Sequence, residues 1–145
     1  MVIKDFSEFF ELLNKNEVKY LVVGGYAYSI YAEPRFTKDL DIFIQRDEIN
    51  ADKLVDTIQN FGFGSLNLTR EDFLKPDFII QLGVPPIRID ILTSISGVEF
   101  DEAWDNRVKG KYGNQDIYFI SKEDLKKNKK ASGRKSDLDD LDKLR

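Results

Sequence analysis

Cysteine and histidine are absent from this chain of 145 residues, which also contains only one methionine and one tryptophan. Without cysteine there are no disulfides, no thiolate metal ligands and no cysteine nucleophiles, and without histidine there is no Ser-His-Asp triad. Any chemistry must therefore depend on carboxylates, lysine, arginine, hydroxyl groups, backbone amides or a metal held by oxygen atoms. Long hydrophobic runs are also absent, since no stretch approaches the roughly 18–20 apolar residues that span a bilayer.

The remaining composition is ordinary for a globular protein. Hydrophobic residues make up 41% of the chain and charged residues 33%, and the formal net charge is −4. This mildly acidic balance gives no global argument for nucleic-acid binding. The N-terminus lacks the basic-then-apolar pattern of a signal peptide, so we expect a cytoplasmic protein with no membrane partner. The length suits a single domain over residues 1–145, with a helical segment at residues 121–145.

Helix and strand patterns mix along the whole chain, which predicts the α/β or α+β class. Apolar spacing predicts an N-terminal helix, capped by Asp5 or Ser7, and a last helix with Leu138, Leu141 and Leu144 on one face. The other predicted helices cover residues 26–31, 52–61, 99–104 and a segment capped by Ser121 that ends near residue 131. Strands are predicted over residues 20–23, 39–45, 78–82, 87–92, 107–111 and 115–120.

Two aspartates, Asp39 and Asp41, lie in the strand predicted at residues 39–45. Residues two apart in a strand point the same way, so these carboxylates share one face while Leu40 and Ile42 occupy the other. Parallel carboxylates repel each other unless something neutralises them, and a divalent cation such as Mg²⁺ prefers their hard oxygen atoms. Taken alone, the pair would be better explained by exposed acids on an edge strand.

A third aspartate, Asp90, stands between Ile89 and Ile91 in a later strand. A lone acid framed by apolar neighbours is unusual unless it is paired, lies at a sheet edge or binds a ligand. Gly24-Gly25 follows a strand and precedes a helix, where glycine lets the backbone approach a phosphate at the helix N-terminus. Together, the glycine turn and the three strand acids favour two-metal phosphoryl transfer.

These motifs resemble a known family. Gly24-Gly25, a gap of helix length, the pattern Arg-x-Thr-x-Asp-x-Asp over residues 35–41 and the isolated Asp90 are similar to the DNA polymerase beta-like nucleotidyltransferase superfamily. The C-terminal pattern KKASGRKSDLDDL at residues 129–141 resembles the stand-alone bacterial group that contains AbiEii-type toxins. The likeness covers nearly the whole chain and implies a small mixed sheet packed with helices.

The resemblance also implies roles for individual residues. It makes Asp39, Asp41 and Asp90 metal ligands and catalytic residues, with Asp90 as candidate general base, and it implies Mg²⁺ as cofactor, in a two-metal site, with Mn²⁺ as an alternative. The nucleotide-binding residues it implies are Gly24, Gly25, Thr37, Lys129 and Arg134.

Several of these assignments have a structural alternative. Asp137 and Asp140 could hold Lys129 and Arg134 in ion pairs, and Thr37 could cap a turn instead of binding phosphate. Arg35 is either a phosphate or acceptor contact or a solvated loop charge.

The leading function is transfer of a nucleoside monophosphate from an NTP to a hydroxyl acceptor, with release of pyrophosphate. The acceptor is a small molecule, an RNA or a protein. One alternative is a non-catalytic regulatory partner in a toxin-antitoxin system, and another is an enzyme that modifies an antibiotic. Lincosamide-modifying relatives are expected to be longer, with an extra domain for the acceptor, so a homodimer mate or a protein partner could bind the acceptor here.

Overall fold

A computed structural model of the chain describes residues 2–35 and 39–144, without the side chain of Ser65. Thr37 lies outside the described residues. Within the described ranges, no helix is both long enough and apolar enough to cross a bilayer. The helices are α1 (Lys4–Lys15), α2 (Gly24–Tyr31), α3 (Glu48–Ile58), α4 (Phe100–Asp105), α5 (Lys122–Ser132) and α6 (Lys135–Lys143). The strands are β1 (Tyr20–Val23), β2 (Asp39–Ile44), β3 (Ile79–Val84), β4 (Ile87–Leu92), β5 (Val108–Tyr112) and β6 (Gln115–Phe119).

The strands form one mixed sheet in the order β3-β4-β2-β1-β6-β5. Strand β1 pairs antiparallel with β2 and parallel with β6, while β2 pairs parallel with β4. The hairpins β3-β4 and β5-β6 complete the two edges. The predicted α+β class with a small mixed sheet is confirmed. The parallel pairing of β2 with β4 matters most for the site, because it joins two strands that are far apart in the chain.

Helices cover both faces of the central strands. On one face, α1 and α3 pack against Leu40, Ile42, Ile89 and Ile91 in the larger hydrophobic core. On the other face, α2, α4 and α5 pack around Phe43 in a second core. Strand β1 is buried on both sides, which explains why its four residues are apolar or aromatic. The alternation in β2 therefore directs its aspartates away from the larger core.

Several predicted element ends are displaced in the structure. Helix α3 begins at Glu48 rather than at residue 52, because the Asp47 side chain accepts a hydrogen bond from the Asn50 amide at 2.7 Å and caps the first turn. Strand β3 continues to Val84, so only Pro85 and Pro86 separate it from β4. Antiparallel pairing with β4 extends β3 beyond the end that its apolar residues predict, up to the pair of Val84 with Ile87.

The predicted caps have different outcomes. Ser121 caps α5 as predicted, since its hydroxyl accepts a hydrogen bond from the Asp124 amide at 3.1 Å. The predicted cap of α1 is wrong: the helix starts at Lys4 after Ile3, without a side-chain cap, so Asp5 and Ser7 are already helical.

The predicted apolar face of α6 is also wrong in part. Leu138 is 42% exposed, whereas Leu144 is fully buried. The buried positions within α6 are instead Asp137 and Asp140, which are each 6% exposed. The helix turns these acids inward because the buried ammonium group of Lys129 pairs with both of them.

Candidate active site

The register between β2 and β4 brings the three predicted acids together. Asp41 lies directly opposite Asp90, and Asp39 lies opposite Arg88. Paired residues on adjacent strands point to the same face of a sheet, so all four side chains project from one side. Asp90 is 8% exposed, while Asp39 and Asp41 are partly exposed. We call these four residues the acid site.

Arg88 is the member of the acid site that the sequence reasoning overlooked. Its Nη2 donates a hydrogen bond to Asp39 Oδ2 at 2.7 Å and another to Asp90 Oδ2 at 3.1 Å. Its Nε lies 3.1 Å from Asp90 Oδ1, but neither of those two buried atoms has a hydrogen-bond partner among the described residues, so the contact between them is one of charge. The Arg-x-Asp alternation in β4 was the available signal, because it places both residues on one face.

The carboxylates of the acid site are only partly neutralised by Arg88. Burial, reinforced by the negative charges of Asp90 and Asp39, raises the pKa of Asp41 to about 7. The positive charges of Arg88 and Lys129 act in the opposite direction on the Asp41 pKa without cancelling this effect. Burial also raises the pKa of Asp90, although Arg88 opposes the shift. A group of acids in this state favours an added positive charge.

The Gly24-Gly25 turn lies directly against Asp41. Gly24 has a φ of +67°, and a Cβ at this position would collide with Oδ2 of Asp41. Its neighbour Val23 pairs with Asp41 across β1 and β2, which explains the close approach. Helix α2 starts here, and its first turn contains no acidic residue. The helix N-terminus thus presents backbone amides and positive dipole charge beside the acids, as anion binding requires.

The donor set of the acid site fits a hard divalent cation after one rearrangement. Three aspartate carboxylates supply the oxygen atoms that Mg²⁺ prefers, and the buried Oδ1 of Asp90 accepts no hydrogen bond from the described residues. Within residues 2–35 and 39–144, however, no three acids already surround a common metal position. Arg88 bridges Asp39 and Asp90 instead. The assignment of Asp39, Asp41 and Asp90 as metal ligands therefore stays a prediction, and it requires Arg88 to move aside.

Lys129 lies in an ion-pair network that joins the two C-terminal helices. Its Nζ is 3.1 Å from Asp137 Oδ1 and 3.0 Å from Asp140 Oδ2, and its side chain is 9% exposed. Arg134 Nε lies 2.9 Å from Asp137 Oδ2, yet the Arg134 side chain is 77% exposed. These contacts correspond to the ion-pair alternative for both residues, and a role in nucleotide binding stays a prediction.

Arg35 extends this network towards β2. Its Nη1 and Nη2 donate to the two carboxylate oxygens of Asp140 at 3.1 and 2.6 Å. Its guanidinium also stacks on the ring of Tyr28, 3.9 Å from the ring centroid. We call Lys129, Arg134, Asp137, Asp140 and Arg35 the C-terminal network. The network ties α6 to a residue four positions before Asp39, at the start of the acid-bearing strand.

A separate cleft opens where β2 and β4 end. It has a volume of about 370 Å³, and its lining includes Gln45, Thr93, Glu99 and Asp101. None of the predicted site residues among the described ones lines this cleft. It lies at the other end of β2 from Asp39.

The fold belongs to the nucleotidyltransferase-like class. A nucleotidyltransferase-like antigenic protein from Paracoccidioides brasiliensis matches with a TM-score of 0.54 and 14% identity, over 97% of this chain and 74% of that one. The lincosamide antibiotic adenylyltransferase LnuA, solved with lincomycin bound, matches with a TM-score of 0.53 and 17% identity, over 99% of this chain and 96% of that one. At these identities the likeness shows the fold alone.

The chain belongs to the family of nucleotidyltransferases of unknown function called DUF6036, whose model matches residues 2–144. No curated protein matches the sequence at a significant level. The narrower likeness to AbiEii-type toxins stays a prediction. The expectation that lincosamide-modifying relatives are longer does not hold for LnuA, because this chain spans nearly all of it.

Proposed function

We propose that this protein is a metal-dependent nucleotidyltransferase, which transfers a nucleoside monophosphate from an NTP to a hydroxyl acceptor and releases pyrophosphate. Membership of a nucleotidyltransferase family supports the class of reaction. The observation that carries the proposal is the register that sets Asp41 opposite Asp90, with Gly24 against the Asp41 carboxylate. The register of β2 with β4 and the pairing of β1 with β2 bring together three acids and a glycine turn from three separate parts of the chain.

In this proposal the three acids bind the cation, and the glycine turn binds the triphosphate. Asp39, Asp41 and Asp90 would hold the cation, with Mg²⁺ as the expected ion and Mn²⁺ as a substitute. The bound cation supplies positive charge that stabilises the phosphates and lowers the pKa of an attacking hydroxyl. The backbone amides of Gly24 and Gly25 would bind the triphosphate at the N-terminus of α2.

The proposed reaction forms one bond, breaks one bond and needs one group that accepts a proton. The acceptor oxygen forms a bond to the α-phosphorus of the NTP, and the bond from that phosphorus to the pyrophosphate oxygen breaks. Asp90 is the carboxylate that would take the acceptor proton, because this chain has no histidine to serve as a base. Its Oδ1 accepts no hydrogen bond from the described residues, and it would receive that proton once Arg88, whose Nε lies 3.1 Å away, has moved aside.

A small molecule is the acceptor class that we favour over an RNA or a protein. The supporting observation is that this chain spans 96% of LnuA, whose structure contains lincomycin. A nucleotidyltransferase chain of this size is therefore able to bind a drug-sized molecule. The overall charge of −4 gives no support to an RNA acceptor.

The proposal is tested by incubating the protein with Mg²⁺ and each of the four α-labelled NTPs, in separate reactions. Low-molecular-mass cell extract and lincomycin serve as two acceptor arms. Asp39→Asn is the negative control. Asp56→Asn is the matched positive control, because Asp56 is exposed on α3, which packs on the opposite face of the sheet. We expect label to enter a small-molecule product with the wild type and Asp56→Asn only.

Two results would count against the proposal. Label transfer by Asp39→Asn at the wild-type rate would show that the reaction does not require the acid site. No transfer by the wild type, together with no NTP binding in calorimetry, would favour the regulatory alternative in a toxin-antitoxin system. Binding of NTP without transfer to either arm would direct the search to an RNA or protein acceptor.

A further inference from the structure

Arg88 lies between the carboxylates of Asp39 and Asp90, where their negative charges stabilise a cation most strongly. It contacts Asp39 and Asp90 through Nη2, and it contacts Asp90 again through Nε. Its side chain is 26% exposed, and the side chain of Asp90 is 12% exposed. Ion pairs this shielded from water are weakened less by solvent than surface pairs are.

The same contacts are incomplete as hydrogen bonds. The Arg88 Nε and Asp90 Oδ1 atoms lie 3.1 Å apart and are both buried, yet within residues 2–35 and 39–144 neither has a hydrogen-bond partner. A guanidinium that fitted its carboxylate partner fully would make two parallel hydrogen bonds. Arg70 makes such a pair with Asp52, at 2.8 and 2.7 Å. Arg88 instead divides its hydrogen bonds between Asp39 and Asp90, one to each acid.

We propose that Arg88 is the internal counter-ion of the acid site, which a divalent cation must displace from Asp39 and Asp90 in order to bind. This inference rests on the proposed function, since it concerns the same carboxylates. Arg88 competes with the cation for both aspartates, so its ion pairs weaken the apparent metal affinity of the protein. Once displaced, the guanidinium remains beside the site, on the face where a triphosphate would lie.

This arrangement makes the binding of metal and nucleotide mutually dependent. A cation alone must break the Arg88 ion pairs, whereas a cation bound with NTP provides new phosphate partners for the freed guanidinium. By linkage, whatever factor the nucleotide adds to metal affinity, the metal adds to nucleotide affinity. Arg88 thus favours loading of the acid site by the metal-nucleotide complex over loading by the bare metal.

The test measures Mn²⁺ binding directly, by electron paramagnetic resonance and calorimetry, in the presence and absence of a non-hydrolysable ATP analogue. Arg88→Gln removes the charge. Arg70→Gln is the matched control, because Arg70 also pairs with two acids, Asp52 and Glu48, at an exposed position. Arg88→Lys keeps a positive charge but lacks the planar guanidinium that bridges the two acids. This second variant allows the proposal to be tested even if Arg88→Gln does not fold. Thermal unfolding of every variant is recorded with and without Mn²⁺.

We expect Arg88→Gln to bind Mn²⁺ alone about tenfold more tightly than the wild type, with Arg88→Lys in between and Arg70→Gln unchanged. We expect the analogue to tighten Mn²⁺ binding in the wild type but much less in Arg88→Gln. Equal Mn²⁺ affinity in all variants, or weaker binding by Arg88→Gln, would overturn the inference and leave the proposed function standing. Absence of Mn²⁺ binding by the wild type in every condition would overturn both.

Discussion

The acid site and the C-terminal network both concentrate charge in partly buried positions, yet their charge balances are opposite. In the acid site, one guanidinium faces three carboxylates, and burial together with the neighbouring acids raises the pKa of Asp41 to about 7. In the C-terminal network, three cations share two carboxylates. Burial there also works against ionisation, but hydrogen bonds outweigh it and hold the pKa of both acids below the usual range. The bonds to Asp137 come from the Ser132 hydroxyl first and then from Lys129 and Arg134, and those to Asp140 come from Arg35 and Lys129.

This difference supports the proposal that the acid site is functional, whereas the C-terminal network is structural. The C-terminal network already satisfies its own charges, so no ligand is needed to explain it, and removing Lys129 takes one of two cations from each buried acid. Among the described residues, the acid site has one guanidinium for three carboxylates, which is the state expected of a site that binds a cation.

Replacing Asp41 with asparagine is expected to have the largest effect on activity. We expect kcat/KM for nucleotide transfer to fall roughly 1,000-fold, equivalent to about 4 kcal/mol, because the cation loses a ligand. The melting temperature should stay the same or rise, since the substitution removes a carboxylate that neighbouring acids repel. A labelled-NTP assay and calorimetric unfolding of the same preparation measure both quantities. A large loss of stability would show that Asp41 is structural.

Replacing Lys129 with methionine is expected to affect stability most. The change leaves Asp137 and Asp140 buried with one cation fewer each, so the free energy of unfolding should fall by about 3 kcal/mol. Urea unfolding monitored by circular dichroism gives the value. The matched control is Lys130→Met, because Lys130 is exposed on the same helix and should tolerate the change. Equal losses in the two variants would contradict a buried network.

Two glycines with the same backbone angle provide a finer test. Gly24 and Gly133 both have a φ of +67°, but a Cβ would collide with Asp41 only at Gly24, while Gly133 has open space. Alanine at either position costs about 1 kcal/mol for the left-handed backbone. We expect Gly24→Ala to cost about another 1 kcal/mol and to weaken NTP binding, which Gly133→Ala leaves intact. Unfolding and calorimetric titration of both variants measure this difference, and equal NTP affinities would argue against the glycine turn as a phosphate site.

The smallest effect is a dependence on pH. Because the folded pKa of Asp140 lies below the value of about 3.9 in the unfolded chain, its ionised form contributes stability above that pH. This contribution is lost as the pH falls through the folded pKa. We therefore expect the stability gap between the wild type and Asp140→Asn to be constant from pH 7 to about 5 and to shrink towards pH 3. Urea unfolding at several pH values measures the gap, and a gap that does not shrink would place Asp140 outside the ion pairs.

Local patterns predicted much of this structure. The apolar run at residues 20–23 and the alternation after Asp39 predicted two strands with nearly correct ends. Strand periodicity also placed Asp39 and Asp41 on one face, away from the larger core. The ends of α3 and the inward face of α6 were predicted less well, because Asp47 and Asp140 act through contacts that apolar spacing does not report.

By itself, the sequence determined which chemistry was open to this protein. A chain without histidine or cysteine has carboxylates as its strongest candidate ligands, and two-residue periodicity sets Asp39 beside Asp41. Only the tertiary structure decided that Asp90 lies opposite Asp41 and that Arg88, 49 positions from Asp39, bridges the acids. Pairing between distant strands depends on how all the elements pack together, so neither strand's own pattern shows which residue of β4 lies opposite Asp41. The burial that brings Lys129 into ion pairs is set in the same way, by the docking of α5 and α6.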